Sequence, residues 1–330
     1  MQRIGVVGAG AWGTALANAA ARAGRQVTLW AHEPDVATDI NRHRLNSIFL
    51  PGIHLREEIT ATHDMADLAV CEALLLVAPA QHMRAVTERL RQHVSPGIPA
   101  LICSKGIEVA TGKLMSVVIA DTLPDAVPAI LSGPTFAGEV ARGLPCALTL
   151  AIADETLADQ ITASLGQPTF RLYSSTDVPG AQIGGAIKNV MAIASGMVAG
   201  LQLGENARAA VITRGLAEMM RFGQAFDARR ETLMGLSGLG DLILTCSSLQ
   251  SRNMSLGKAL GEGRRFEDIM AERRSVAEGA HTVEVVETIA RDHGISMPIA
   301  HSVFRILKDG AAVNEVVRDL LERPFTREIA

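Results

Sequence analysis

Short, wholly apolar runs alternate with longer stretches of helical period until about residue 178, where the alternation stops. The apolar runs at 4–7, 27–30, 74–78, 100–103, 129–131 and 147–152 read as buried strands. Helix-like segments lie near 12–23, 82–93, 113–121 and 155–165. Strands that are apolar throughout, separated by helices, predict a doubly wound parallel α/β sheet covered on both faces. Beyond 178 the pattern is helical, at 184–203, 206–226, 253–261, 278–293 and 297–309, with breaks at Gly235, Gly238, Gly240 and Pro298. The expectation is an α/β domain over 1–180 followed by an all-α domain over 181–330, the boundary falling within 175–183. There is no internal repeat and no low-complexity tract.

Composition narrows the partners. The 330 residues carry 31 basic and 35 acidic side chains, and 48 % are hydrophobic. That suits two ordinary domains with sizeable cores. The slight acidity and the absence of a basic run argue against nucleic acid. With only 3 % aromatic residues, a base-stacking platform is also disfavoured. Cys71, Cys103, Cys146 and Cys246 are far apart and form no CxxC pair, so they read as reduced core thiols and offer no metal site. The apolar run 73–80 is too short to span a bilayer. Arg3 before an alanine-rich stretch imitates a signal peptide, but glycines at 5, 8, 10 and 13 break it. The expectation is a cytoplasmic protein without membrane insertion.

Those glycines have a chemistry. Gly8-Ala9-Gly10-Ala11-Trp12-Gly13 matches G-x-G-x-x-G, follows the first apolar run and opens an alanine-rich helix. There the glycines serve a tight turn, close approach of backbone to a pyrophosphate, and close helix packing. The phosphates meet free N–H groups at the positive end of a helix. This context makes the sheet Rossmann-type. The alternative is an ordinary strand-to-helix turn built from small residues.

The second strand should end at Trp30, followed by Ala31, His32 and Glu33. NAD-specific folds place an acid at this tip for the ribose 2′-hydroxyl. Ala31 offers none, so a 2′-phosphate meets no carboxylate there, and His32 is the nearest group to receive it. Glu33 stays open as a ribose partner or as a solvated residue before a helix begun at Pro34.

The stretch 184–191 (GGAIKNVM) is the most informative. From 178 to 204, Lys188 is the only charged residue. Burial on such a helix disfavours the ammonium and suits the lysine to exchange protons near neutral pH. The alternative is a lysine that snorkels to the surface. Lys105 and Gly106 follow the run ending at Cys103 and so sit at the carboxyl edge of the sheet, where such folds bind ligands. Ser237–Asp241 (SGLGD) is a glycine turn ending in an acid, which reads as a site residue or as a helix cap. Ser251, Arg252 and Asn253 place a hydroxyl, a guanidinium and an amide in a row, an oxyanion cradle or an N-cap with a solvated arginine.

Together these segments identify a resemblance to the bacterial-type NAD(P)-dependent glycerol-3-phosphate dehydrogenases over essentially the whole chain. It is carried by GAGAWGTALA at 8–17, SKGIE at 104–108, LSGPTFAGE at 131–139, Lys188-Asn189, SGLGD at 237–241, SRN at 251–253 and VAEG at 276–279. The resemblance implies reversible reduction of dihydroxyacetone phosphate to sn-glycerol 3-phosphate with NADPH or NADH, for glycerophospholipid synthesis. It implies Lys188 as proton donor and acceptor. It implies substrate contacts from Lys105, Gly133, Thr135, Asp241, Ser251, Arg252 and Asn253, with Lys105 and Arg252 also near the cofactor. Ala11, Trp12, Ala137, Val276 and Glu278 are implied to contact the dinucleotide, and a homodimer is implied. Many family members carry an arginine after the second strand where His32 stands here, which bears on the NADP preference.

Two rivals remain at this stage. Reductases of β-hydroxy acids share the two-domain plan and show G-x-x-x-K-x-x-N. Gly184 and Lys188 fit that pattern, but Met191 occupies the asparagine position. A dinucleotide-sensing protein without turnover is the other, and the expected burial of Lys188 speaks against it.

Overall fold

In the computed structural model, which describes residues 1–272 and 277–324, eight strands form one sheet. They are β1 (Arg3–Val7), β2 (Gln26–Trp30), β3 (Ile59–Thr62), β4 (Ala73–Leu76), β5 (Pro99–Ile102), β6 (Val127–Ser132), β7 (Cys146–Ala151) and β8 (Phe170–Ser175). Their order is β3-β2-β1-β4-β5-β6-β7-β8. The direction of winding reverses between β1 and β4, which opens a crevice at their carboxyl ends. Along β4, Leu74 and Leu76 enter one core and Leu75 the other, so both faces are covered as its unbroken apolarity requires.

Three features depart from the sequence reading. The edge strands β3 and β8 were not expected. Each is half exposed, so β3 (ITAT) and β8 (FRLYSS) lack the continuous apolar run that marks the interior strands. The sheet is also not wholly parallel, because β7 runs antiparallel to β6, Ser132 facing Thr149. The chain leaves β6 at the carboxyl edge and passes through the short helix Ala137–Arg142. Asn18 and Arg22 hold that helix on the first helix by bonds to the carbonyls of Val140 and Ala141. The chain then re-enters from the same edge, which reverses β7.

The helical half is organised around the helix Val178–Gly200, which begins six residues before the expected 184. Asp177 caps it, accepting from the Gly180 amide at 2.9 Å. By length and composition this helix could cross a membrane, but 83 % of its apolar window is buried within the protein. The helix Arg252–Gly261 lies directly against it. A Cβ on Gly257 would collide with the Ile193 carbonyl, and one on Gly196 with the Met254 carbonyl, so the two backbones touch. This contact sets the amino end of Arg252–Gly261 beside Lys188.

Candidate active site

The glycine loop is built as its spacing predicts. Gly8 takes φ +117°, and a Cβ on Gly13 would strike the Gly8 carbonyl oxygen. Gly10 is the N-cap of the helix Ala11–Arg22, so the N-cap residue has no side chain to spend on the first amides, and the first turn carries no acid. A Cβ on Gly10 would meet open space, and the Trp12 Nε1 is buried without a hydrogen-bond partner among the described residues. A positive helix end, an open approach and an unspent donor fit the pyrophosphate of a dinucleotide. The Gly8 amide bonds to the Trp30 carbonyl at 3.0 Å, placing the tip of β2 beside the loop. His32 is exposed at that tip, and exposed Glu33 is the N-cap residue of the helix Pro34–His43.

From this loop the site continues across the sheet edge. Gly8 lies against Val77 and Ala78 at the end of β4, and Gly106 against Ala80. Glu278, partly buried, accepts from the Ala80 amide and interacts with Arg252, Lys188 and Lys105. Burial raises its carboxyl above the ordinary value, against the pull of those cations.

Lys188 sits at the centre and is 7 % exposed, so it does not snorkel. Its Nζ donates to Asp241 Oδ1 and to Thr245 Oγ1, each at 2.8 Å. Lys105 Nζ reaches the other oxygen of Asp241 at 2.6 Å and the Gly133 carbonyl at 3.0 Å. Thr135 Oγ1 bonds to that same carbonyl at 3.3 Å. Gly185 leaves room for the Lys105 stem, since a Cβ there would lie 3.3 Å from Lys105 Cγ. Burial pushes the Lys188 ammonium down to about 8, Asp241 opposing and Lys105 assisting. Burial alone would raise the Asp241 carboxyl, but the two ammonium groups outweigh it and hold it below its ordinary value. Asp241 follows a single π-helical turn, Leu236–Gly240, and it is Gly240 that occupies the N-cap position. The aspartate is thus a buried counter-ion.

The SRN run is divided. Ser251 is the N-cap of its helix, its Oγ accepting from the Met254 amide at 3.2 Å. Asn253 is buried, donating to Asn189 Oδ1 at 2.9 Å and accepting from the Gly279 amide at 3.1 Å. Arg252 is exposed at the first position of the helix, where its charge adds to the positive helix end. Ala137 opens the helix held on the first helix. Val276 lies outside the described residues. The sequence reading missed Thr245, although its place one turn after Asp241 puts both on one helix face.

A glycine loop at the switch point of a Rossmann-type sheet, beside a helical half carrying a buried lysine, is the plan of a dinucleotide-dependent oxidoreductase. The family described as NAD-dependent glycerol-3-phosphate dehydrogenase matches through its N-terminal part at residues 3–158 and its C-terminal part at 177–318. The chain is 55 % identical over 327 residues to glycerol-3-phosphate dehydrogenase (NAD(P)+) of Parvibaculum lavamentivorans, covering 99 % of this chain and 98 % of that one. It is 56 % identical over 326 residues to the protein of the same name from Novosphingobium aromaticivorans, covering 98 % of each. The crystal structure of glycerol-3-phosphate dehydrogenase from Coxiella burnetii superposes with a TM-score of 0.93 at 37 % identity, covering 98 % of this chain and 99 % of that one. The chain belongs to the NAD-dependent glycerol-3-phosphate dehydrogenase family.

Proposed function

We propose that this protein reduces dihydroxyacetone phosphate to sn-glycerol 3-phosphate with NADPH or NADH, reversibly, and that the product serves glycerophospholipid synthesis. The observation that carries the reading is Lys188, a buried ammonium lowered to about 8 and aimed by Asp241 and Thr245. Residues 1–180 hold the dinucleotide, through Gly8, Gly10, Ala11, Trp12, Gly13, His32 and Ala137, with Glu278 joining them from 181–330. The bound reduced dinucleotide supplies the hydride that the ketone carbon receives.

Lys188 stabilises the negative charge that develops on the ketone oxygen and donates a proton to it. In the reverse direction, neutral Lys188 takes the proton from the alcohol. Lys105, Gly133, Thr135 and Asp241 line the same pocket. Arg252, with Ser251 and Asn253 at the same helix end, receives the substrate phosphate. A guanidinium offers parallel donors to a phosphate, and that remote binding energy orients the carbonyl. The protein acts as a cytoplasmic homodimer.

Steady-state assays following dinucleotide absorbance test the reading. Turnover of dihydroxyacetone phosphate is expected with both cofactors, NADPH outpacing NADH because Ala31 leaves no carboxylate at the tip of β2. Dinucleotide binding without turnover would instead make the protein a sensor.

A further inference from the structure

Asn46 lies outside the site described above, yet it is only 1 % exposed and spends its whole side chain behind the glycine loop. Its Nδ2 donates at 2.8 Å to the Ala9 carbonyl oxygen and at 2.8 Å to Thr14 Oγ1. Its Oδ1 accepts from the Phe49 amide at 3.1 Å. Thr14, fully buried, closes the triangle by donating its hydroxyl to the same Ala9 oxygen at 3.2 Å. Two donors from two separate segments therefore converge on one carbonyl of the loop.

We infer that Asn46 is a positioning residue for dinucleotide binding, holding the Ala9 carbonyl inward so that the Gly10 amide faces the pyrophosphate. The inference rests on the dinucleotide-dependent reading above. Its physical basis is the planar trans peptide, in which the carbonyl of one residue and the amide of the next point in opposite directions. Drawing the Ala9 oxygen into the protein turns the Gly10 N–H the other way, away from the Asn46 and Thr14 side chains. Without that tether only the 3.2 Å bond from the Thr14 hydroxyl holds the Ala9 oxygen, and each bound dinucleotide must then complete the ordering of the Ala9–Gly10 peptide.

Asn46 is itself well anchored. The Leu50 amide bonds back to the Asn46 carbonyl at 3.0 Å, and Leu50 and Leu55 are buried in the core under the sheet. The far end of the segment is tied to the same helix, the Arg56 amide donating to Asn18 Oδ1 at 3.2 Å. A strap fixed at both ends can impose an orientation on the loop it crosses.

Two uncharged replacements of similar shape test this, Asn46→Leu and Thr14→Val. NADPH affinity is measured by titration of the purified protein. The kcat at saturating NADPH and the KM for dihydroxyacetone phosphate are measured beside it. For Asn46→Leu the NADPH Kd should rise by about ten-fold, on the scale of one buried polar group left unpaired. The kcat and the substrate KM should stay within about two-fold, because the Lys188 pocket is untouched; a merely structural defect would lower kcat as well. Thr14→Val removes one of the two donors and should weaken NADPH by about three-fold. It decides the matter should Asn46→Leu fail to fold. A folded Asn46→Leu protein with wild-type NADPH affinity overturns the inference, as does unchanged affinity in Thr14→Val. A wild-type protein that binds NADPH but does not reduce dihydroxyacetone phosphate overturns the dehydrogenase reading instead, and the affinity ratios still decide the role of Asn46.

Discussion

Lys105 at the sheet edge and Asp241 in the helical half, 136 positions apart in sequence, meet in a 2.6 Å ion pair. Asp241 is fully buried and also holds Lys188. One carboxylate thus neutralises only part of the charge of two ammonium groups. Asp241 being fully buried, these charges are screened less than they would be in water. The same ion pair ties the sheet edge to the helical half.

Lys188→Met keeps most of the side-chain volume and removes both charge and proton. It should abolish most turnover while fold and NADPH affinity persist, since general acid catalysis is worth about 10²–10⁴-fold. A folded variant keeping more than about a tenth of wild-type activity falls outside that range and would pass the proton role to Lys105. In the wild type, reduction needs the charged form and should decline as pH rises through about 8, while oxidation needs the neutral form and should climb over the same window.

Asp241→Asn should move that reductive limb toward lower pH. Burial already disfavours the Lys188 ammonium, and Asp241 is the main group restoring it. Removing a contacting opposite charge shifts a pKa by about one unit or more. The pH–rate profile of the variant reads this directly, and an unmoved limb would show that another group controls it.

Arg252→Ala should harm dihydroxyacetone phosphate far more than unphosphorylated dihydroxyacetone. The exposed guanidinium at a helix amino end is placed for an anion. Comparing kcat/KM for both substrates separates phosphate recognition from a cofactor role. Equal losses would mean that Arg252 serves the cofactor or the fold.

Glu218 caps the helix Pro298–Leu307 from within the core, accepting from the Ile299 amide at 2.7 Å and the Ala300 amide at 3.1 Å. Burial raises its carboxyl to about 7, the two amides, Arg221 and Arg323 opposing. The folded state therefore binds a proton more tightly than the unfolded chain, and this group's contribution to stability falls as pH rises from about 4.5 to about 7. Glu218→Gln replaces one acceptor with a donor and leaves an amide unpaired, at about 1–3 kcal/mol. Its destabilisation in thermal melts should be greatest near pH 5 and shrink toward pH 8. A constant difference would show that Glu218 does not titrate in this window.

Gly257→Ala places a methyl group against the Ile193 carbonyl and must push the helix Arg252–Gly261 off its neighbour. Overpacking of this kind costs about 1–3 kcal/mol. Because that helix carries Arg252, the substrate KM should rise as well. Thermal melts and kinetics on one preparation test both, and a wild-type melt would mean that the helices give way freely.

The sequence by itself determined what short-range pattern can encode. Apolar runs marked the interior strands because both faces of these strands are buried. The glycine spacing marked the turn between β1 and its helix because only glycine fits at Gly13. The absence of charge around Lys188 marked its burial because an apolar helix leaves a lysine no local route to water. Only the tertiary structure decided the rest, and the reason is sequence distance. β3 and β8 are strands because a neighbour pairs one of their edges, not because of their composition. β7 runs antiparallel to β6, a direction set by how the intervening segment packs on the first helix, with Asn18 and Arg22 bonded to the Ala141 carbonyl. Lys188 read as a lysine without charged neighbours, yet it finds Asp241 and Thr245 more than fifty positions away. Asn46 carried no local signal at all, since its meaning lies in one carbonyl 37 positions earlier.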